Sequence, residues 1–112
     1  MIGILLAAAV ASSSPKSQAQ IDYEIMALPV MLSYQLCLSE KALKYSKTSE
    51  LLNDVVDAAF GGCLEERSQL AKLPKEVGLK VSSTGTERTL EWIDAKERSR
   101  LKSFVLDLRA PK

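Results

Sequence analysis

The strongest constraint in this chain of 112 residues is a pair of cysteines, Cys37 and Cys63, each inside a stretch of helical periodicity. In "VMLSYQLCLSEKALKYSK" apolar side chains recur every three or four residues, the spacing that gathers them on one side of a helix. One stripe runs through Val30, Tyr34, Cys37 or Leu38, Ala42 and Tyr45. A second runs through Leu32, Leu36 and Leu43. Two stripes predict two neighbours, and so a central helix. Pro29 is expected in its first turn, where proline has no useful N–H to lose. Lys41, Lys44 and Lys47 fall on the remaining side and read as a solvated face rather than a site for an anion.

"SKTS" at 46–49 reads as a turn, with Ser46, Thr48 and Ser49 as candidate N-caps. The next helix reads "ELLNDVVDAAFGGCLEERSQLAKL" and is expected to stop before Pro74. Its core face is Leu52, Val56, Ala59, Cys63, Glu66 or Arg67, and Leu70, broadened by Val55 and Leu64. Steps of four and three keep phase across Gly61 and Gly62. That predicts one continuous helix, although each interior glycine costs about 1 kcal/mol. A stop at Phe60, with Gly61 as a left-handed cap, is the alternative. In the continuous reading Ala58, Ala59, Gly61 and Gly62 remove bulk around Cys63, making this the closest contact between the helices. Glu50, Asp54 and Asp57 share another face and read as solvated, favoured by the nearby helix N-terminus.

"PKEVGLKVSSTGT" is a break. Val77, Leu79 and Val81 alternate as in a short strand. Thr84 and Glu87 form a capping box that opens the last segment. Leu90, Ile93, Leu101, Phe104 and Leu108 then keep helical spacing, interrupted by the charged run "DAKERSR". A third helix is expected. The rival is a small β-meander, since "TLEWI" and "FVLDL" also alternate. The fold class read from the chain is all-α: a disulfide-stapled antiparallel helical hairpin plus a C-terminal helix. An α-hairpin followed by a β-meander is the alternative.

Residues 1–19 differ in kind. An apolar run from Ile2 to Ala11 precedes a Ser/Pro/Gln-rich stretch, and no acidic residue occurs before Asp22. The run is about half the ~20 residues a membrane span needs and suits the apolar part of a signal peptide. Ser17 and Ala19 place cleavage before Gln20, Ala9 and Ala11 an earlier cut, and no Lys or Arg precedes the run. The expected organisation is a signal peptide at 1–19 and one domain at 20–112, periplasmic or secreted, with no membrane association after cleavage.

In an exported chain an oxidised Cys37–Cys63 pair is the default. The two are symmetric about residue 50, whereas the turn centres near 47 or 48. That offset of about five residues is roughly 7 Å along a helix. The turn must extend into Glu50–Leu51, or the helices must cross at an angle. Cleavage also removes Lys16, leaving fourteen side chains of each sign. A neutral domain gives no electrostatic case for nucleic acid or an anionic membrane.

The segment "YQLCLSEKALKYSKTSELLNDVVDAAFGGCLEERSQL" resembles a pattern in small, exported, uncharacterised two-cysteine helical proteins of Gram-negative bacteria. The shared features are Tyr34 shortly before Cys37, a Val/Ala-rich helix from Val55 to Cys63, and charged residues from Glu65 to Arg67. The resemblance implies an exported helical hairpin with a disulfide. It brings no activity or binding site.

The chain has no histidine, so Ser-His and Cys-His nucleophile systems are excluded. It has no GxSxG, phosphate loop or dinucleotide fingerprint. Two cysteines without histidine do not build a four-ligand zinc site. Glu40 with Glu65 or Glu66 is the candidate acid/base pair, but each reads as solvent-facing. No catalytic residue, metal or cofactor is expected. Tyr23, Tyr34, Tyr45 and Trp92 are the aromatic candidates for a binding surface, with Tyr34 and Tyr45 on the core stripe. The expected function is a binding or structural role in the periplasm, without catalysis. The alternative is an inhibitor or assembly factor for a cell-envelope enzyme, touching it through "VGLKVSSTGT". The partner is an unidentified envelope protein, and the oligomeric state is left open.

Overall fold

The computed structural model describes residues 15–48 and 51–111. Most of the expected signal peptide, residues 1–14, and the turn residues Ser49 and Glu50 lie outside the described residues. The described chain forms helices α1 (Gln18–Ser46), α2 (Leu52–Gly61), α3 (Leu64–Glu76) and α4 (Ser83–Arg109). It contains no strand, which overturns the β-meander alternative: "TLEWI" and "FVLDL" both lie inside α4.

Helix α1 starts eleven residues before Pro29 rather than at it. The Ser17 hydroxyl accepts the Gln20 N–H at 3.2 Å, satisfying one of the orphan donors of a helix start. Lys16 adds an ion pair to Glu24 at 2.7 Å. Pro29 therefore sits mid-helix and removes the hydrogen bond to the Ile25 carbonyl. Both residues are exposed, so the interruption lies on the solvent side of the helix.

At the other end the Ser46 and Thr48 hydroxyls donate back to the Leu43 and Tyr45 carbonyls, at 2.8 and 2.7 Å. They close α1 instead of capping α2, whose N-cap is Leu51. With α1 ending at Ser46 and α2 starting at Leu52, the turn centres at residue 49. That nearly removes the offset that a tight turn would impose on the cysteines.

The expected continuous second helix is broken at Gly62 and Cys63. The Gly62 N–H is shared between the Ala58 and Ala59 carbonyls, and the Cys63 N–H reaches Phe60. These shorter-range bonds tighten the end of α2 into a 3₁₀-type turn. Cys63, at φ −124° and ψ 28°, leaves helical geometry, and its carbonyl accepts the first bond of α3 from Arg67. Gly61 is still helical and does not take a positive φ, so the left-handed cap after Phe60 is not used either. The two-residue joint changes the backbone yet keeps Cys63 inward, which is why the four-three phase runs on through it. The Cys37–Cys63 disulfide ties this joint to the middle of α1, with Cα atoms 6.0 Å apart.

Helix α3 also runs through Pro74 to Glu76. In the last turn proline forfeits only the bond to the Leu70 carbonyl, and its ring is buried. Gly78 then stops the helix at φ +79°, a conformation glycine takes without Cβ strain. The Gly78 N–H bonds to Lys75 and the Leu79 N–H to Pro74, the paired bonds of a Schellman stop. Helix α4 is capped by Ser82, which accepts the Gly85 N–H at 3.0 Å, two residues before the expected Thr84 box. Gly85 makes this closure easy: a Cβ there would lie 3.2 Å from both the Ser82 hydroxyl and the Val81 side chain.

Inter-helix pairs fix the path. Gly62 lies against the Lys41 side chain, and Arg67 and Tyr34 meet at Asp94. The α2–α3 arm thus runs back along α1. Helix α4 follows α1 in the same direction, with Asp94 at Tyr34, Arg100 at Ser39 and Arg109 at the Ser46 carbonyl. The main core is Tyr34, Leu38, Ala42, Val55, Val56, Ala59, Cys63, Leu101 and Val105, all with no exposed surface.

Two packing expectations fail. Leu64 is 64 % exposed at the first position of α3, beside the inward-facing Cys63 rather than in line with it. The second stripe of α1 faces solvent, with Leu32, Leu36 and Leu43 at 48, 62 and 43 % exposure. Helices α2, α3 and α4 all share the other side of α1. No described helix is long and apolar enough to cross a membrane.

Candidate functional site

Three arrangements bring polar or apolar groups together. The first is a seam of charge between the helices. Asp94 accepts the Tyr34 hydroxyl on one carboxylate oxygen at 2.7 Å and Arg67 Nε on the other at 2.8 Å. One turn on, buried Glu97 accepts from Gln35 at 3.1 Å and from two nitrogens of Arg100 at 2.9 and 2.7 Å. Arg100 also donates to Ser39 at 2.9 Å. Burial raises the Tyr34 phenol well above its ordinary value, and the facing Asp94 carboxylate adds to the effect. Burial works against the Arg67 charge, but the Asp94 hydrogen bond and field outweigh it and hold Arg67 protonated. Among the described residues no buried side-chain N or O lacks a hydrogen-bond partner. Both carboxylates are engaged on both oxygens, and through them the seam ties α4 to α1 and α3.

The second arrangement surrounds the disulfide. A shallow groove is lined by Ser33, Leu36, Cys37, Glu40, Lys41, Gly62 and Glu66. The structure thus brings Glu40 and Glu66 to one groove, while Glu65 is exposed outside it. Sulfurs of Cys37 and Cys63 and a carboxylate oxygen of Glu66 lie within 4.8 Å of one another. Bonded to each other, the sulfurs have no thiolate to offer a metal. Of the residues expected at a close helix contact, Ala59 is buried and Ala58 half-buried. A Cβ at Gly62 would meet the Lys41 side chain at 3.2–3.3 Å, and one at Gly61 would meet nothing within 4 Å. Cys37 Sγ lies 3.8 Å from the Gly62 carbonyl oxygen. The tight approach is therefore at Gly62, and Gly61 faces open space.

The third arrangement is an apolar cavity of about 230 Å³ at the opposite end of the bundle. Leu70 and Pro74 of α3, Leu79 and Val81 of the connection, and Leu90 and Ile93 of α4 form most of it, with Tyr23 and Gln20 of α1 at one side and Thr86 and Thr89 of α4 adding polar groups. The Schellman stop turns Leu79 back over Pro74, and the Ser82 cap fixes the exit into α4. An adjoining, more open groove shares Pro74, Leu79, Val81 and Leu90 and is rimmed by Lys72, Lys75 and Lys80 against one acidic residue, Glu87.

Sequence reading singled out Tyr23 and the segment at 77–86, both of which reach this cavity. It missed Leu70, Pro74 and Leu90 as cavity walls. It also missed the seam, because Asp94, Glu97 and Arg100 lie in "DAKERSR", which reads only as a charged interruption of the apolar spacing. The available signal was phase: Leu90, Asp94, Glu97 and Leu101 step by four, three and four. Trp92 is 59 % exposed, with the Lys96 ammonium 3.9 Å from its ring centre.

The chain matches no protein-family model, no curated protein and no solved structure.

Proposed function

We propose that this chain is a binding domain of the cell envelope, without catalytic activity, that takes an apolar group of a partner protein into the cavity at 70–93. The carrying observation is the cavity: largely apolar, preformed, and walled on one side by the connection between α3 and α4. Pockets of this kind are where specific contacts concentrate. The lysine rim favours a partner segment carrying acidic residues beside the apolar group. Support for a non-catalytic role is the lack of histidine and the full engagement of Asp94 and Glu97 in the seam. The apolar run at 2–11 and the joined cysteines support an exported, disulfide-stapled domain. The second reading, an inhibitor or assembly factor for an envelope enzyme, is favoured by the same connection, since residues 77–82 frame the cavity.

Photo-crosslinking in the producing cell tests the reading, with a benzophenone amino acid placed at Val81 or, as a control, at Glu91. One discrete adduct from Val81 and none from Glu91 is the expected outcome. Equal, diffuse adducts from both positions would remove the case for the cavity. N-terminal sequencing of the mature chain tests export separately: Gln20 or Ser12 as first residue supports it, and retained Met1 or Ile2 counts against cleavage.

A further inference from the structure

The exposed face of α1 is the largest feature the cavity does not account for. Ile21, Ile25, Leu28, Leu32, Leu36 and Leu43 are 39, 67, 64, 48, 62 and 43 % exposed. Their spacing keeps all six within one stripe along the helix, clear of the buried Tyr34, Leu38 and Ala42. Scattered exposed leucines need no explanation, but a continuous apolar stripe along a helix does.

The stripe is nearly symmetric about its own centre. Counting outward from Leu32, Leu28 mirrors Leu36 and Ile21 mirrors Leu43, and Ile25 mirrors the small Ser39. A two-fold axis through Leu32 would therefore set apolar against apolar along the helix, as an isologous contact demands. Antiparallel pairing sets the two helix dipoles against each other, whereas parallel pairing would bring like ends of the dipoles side by side.

We propose that a second copy of this chain packs antiparallel on this face of α1, about a two-fold axis at Leu32. The six side chains expose roughly 600 Å² per copy, so the pair removes up to about 1,200 Å² in total, the lower edge of specific interfaces. A reversible dimer of modest strength is the expected species. The cavity lies on another side of α1, so this pairing stands apart from the binding reading above.

Sedimentation of the purified full chain, from low to hundreds of micromolar, is expected to show a monomer–dimer equilibrium. Leu32→Glu, which sets two carboxylates against each other at the axis, is expected to abolish it without changing the helical circular dichroism. Single-cysteine variants on the native disulfide background fix the geometry. Leu32→Cys is expected to form a covalent dimer on mild oxidation. Ile25→Cys alone is not, because its two copies would lie about 21 Å apart along the helices. An equimolar mixture of Ile21→Cys and Leu43→Cys, at exposed mirror positions, is expected to cross-link. A chain that stays monomeric throughout overturns the proposal. So does a dimer in which Ile25→Cys self-links as well as Leu32→Cys, which would mean parallel helices. A monomer that sediments with phosphatidylglycerol vesicles, and loses this with Leu32→Glu, would give the face to a lipid surface instead.

Discussion

The two ends of the bundle are built to different standards. Around Cys63 the side chains of α1, α2 and α4 leave no exposed surface on Tyr34, Leu38, Val55, Val56, Leu101 or Val105, and a covalent bond ties the layers together. Around Leu79 the burial is thinner: Leu70 and Leu90 keep 7 and 4 % exposure beside an open cavity, and Val81 is 45 % exposed. Stability is concentrated where there is little to bind, and space is left where the packing is least complete. Local opening draws on the weaker part of a structure first. The connection at 77–82 is therefore the part expected to adjust around a ligand while the stapled end holds the helices in place.

The sharpest test of that contrast is a pair of truncations. Leu38→Ala is expected to cost about 3–5 kcal/mol, because its site cannot collapse, while Leu90→Ala beside the cavity should cost about 2 kcal/mol. Urea unfolding of both variants checks this, and equal losses would erase the distinction between the ends. Replacing both cysteines by serine is expected to cost about 3–4 kcal/mol, the scale for a closed loop of this length. Hydrogen exchange on that variant should show the protection of α2 falling more than that of the first turns of α4.

Between the two ends stands the Asp94 carboxylate. Asp94→Ala leaves the Tyr34 hydroxyl and the Arg67 guanidinium without their shared acceptor, with an expected cost of about 2–3 kcal/mol by thermal or urea unfolding. The same contact gives a pH signature. The folded chain holds the Tyr34 proton to higher pH than the unfolded chain does, so this contribution is intact below about pH 10 and declines as pH rises further. The loss approaches about 1.4 kcal/mol by pH 11. Tyr34→Phe should remove that part of the slope, seen by comparing urea midpoints of the two chains from pH 8 to 11. The smallest effects are at glycines. Gly78→Ala should lower stability by about 1 kcal/mol, since its φ is positive, and Gly61→Ala, in helix with open space around it, should raise it by about 0.5–1 kcal/mol.

The helical class, the cysteine pair and the buried stripe through Tyr34, Leu38 and Ala42 were legible because each rests on local periodicity, which side-chain spacing reports directly. The helix ends were less so. Pro29 and Pro74 each read as a boundary, yet Pro74 falls in a last turn, where it forfeits one bond, and the cost of about 3 kcal/mol that an interior proline carries is absorbed at Pro29 by a helix of 29 residues. The Gly62–Cys63 joint was hidden by the phase it preserves. The cavity needs α1, α3 and α4 together, and no single stretch of sequence states how three helices leave a gap. The seam was obscured for another reason: charge at a core position looks like surface until its partners, Tyr34, Gln35 and Arg67, are brought across from other helices.

The placement of the disulfide also governs how this molecule answers a pulling force. Tension applied at the two termini passes along α1 to Cys37, crosses to Cys63, and continues through α3 and α4. The 26-residue interval between the sulfurs, which contains the whole of α2, is shielded from load. When the bundle is stretched open its contour is shorter by roughly 90 Å than that of the reduced chain, at about 3.5 Å per residue. Helix α2, which carries Val55, Val56 and Ala59 into the best-packed end, is thus a piece that traction from the termini never reaches.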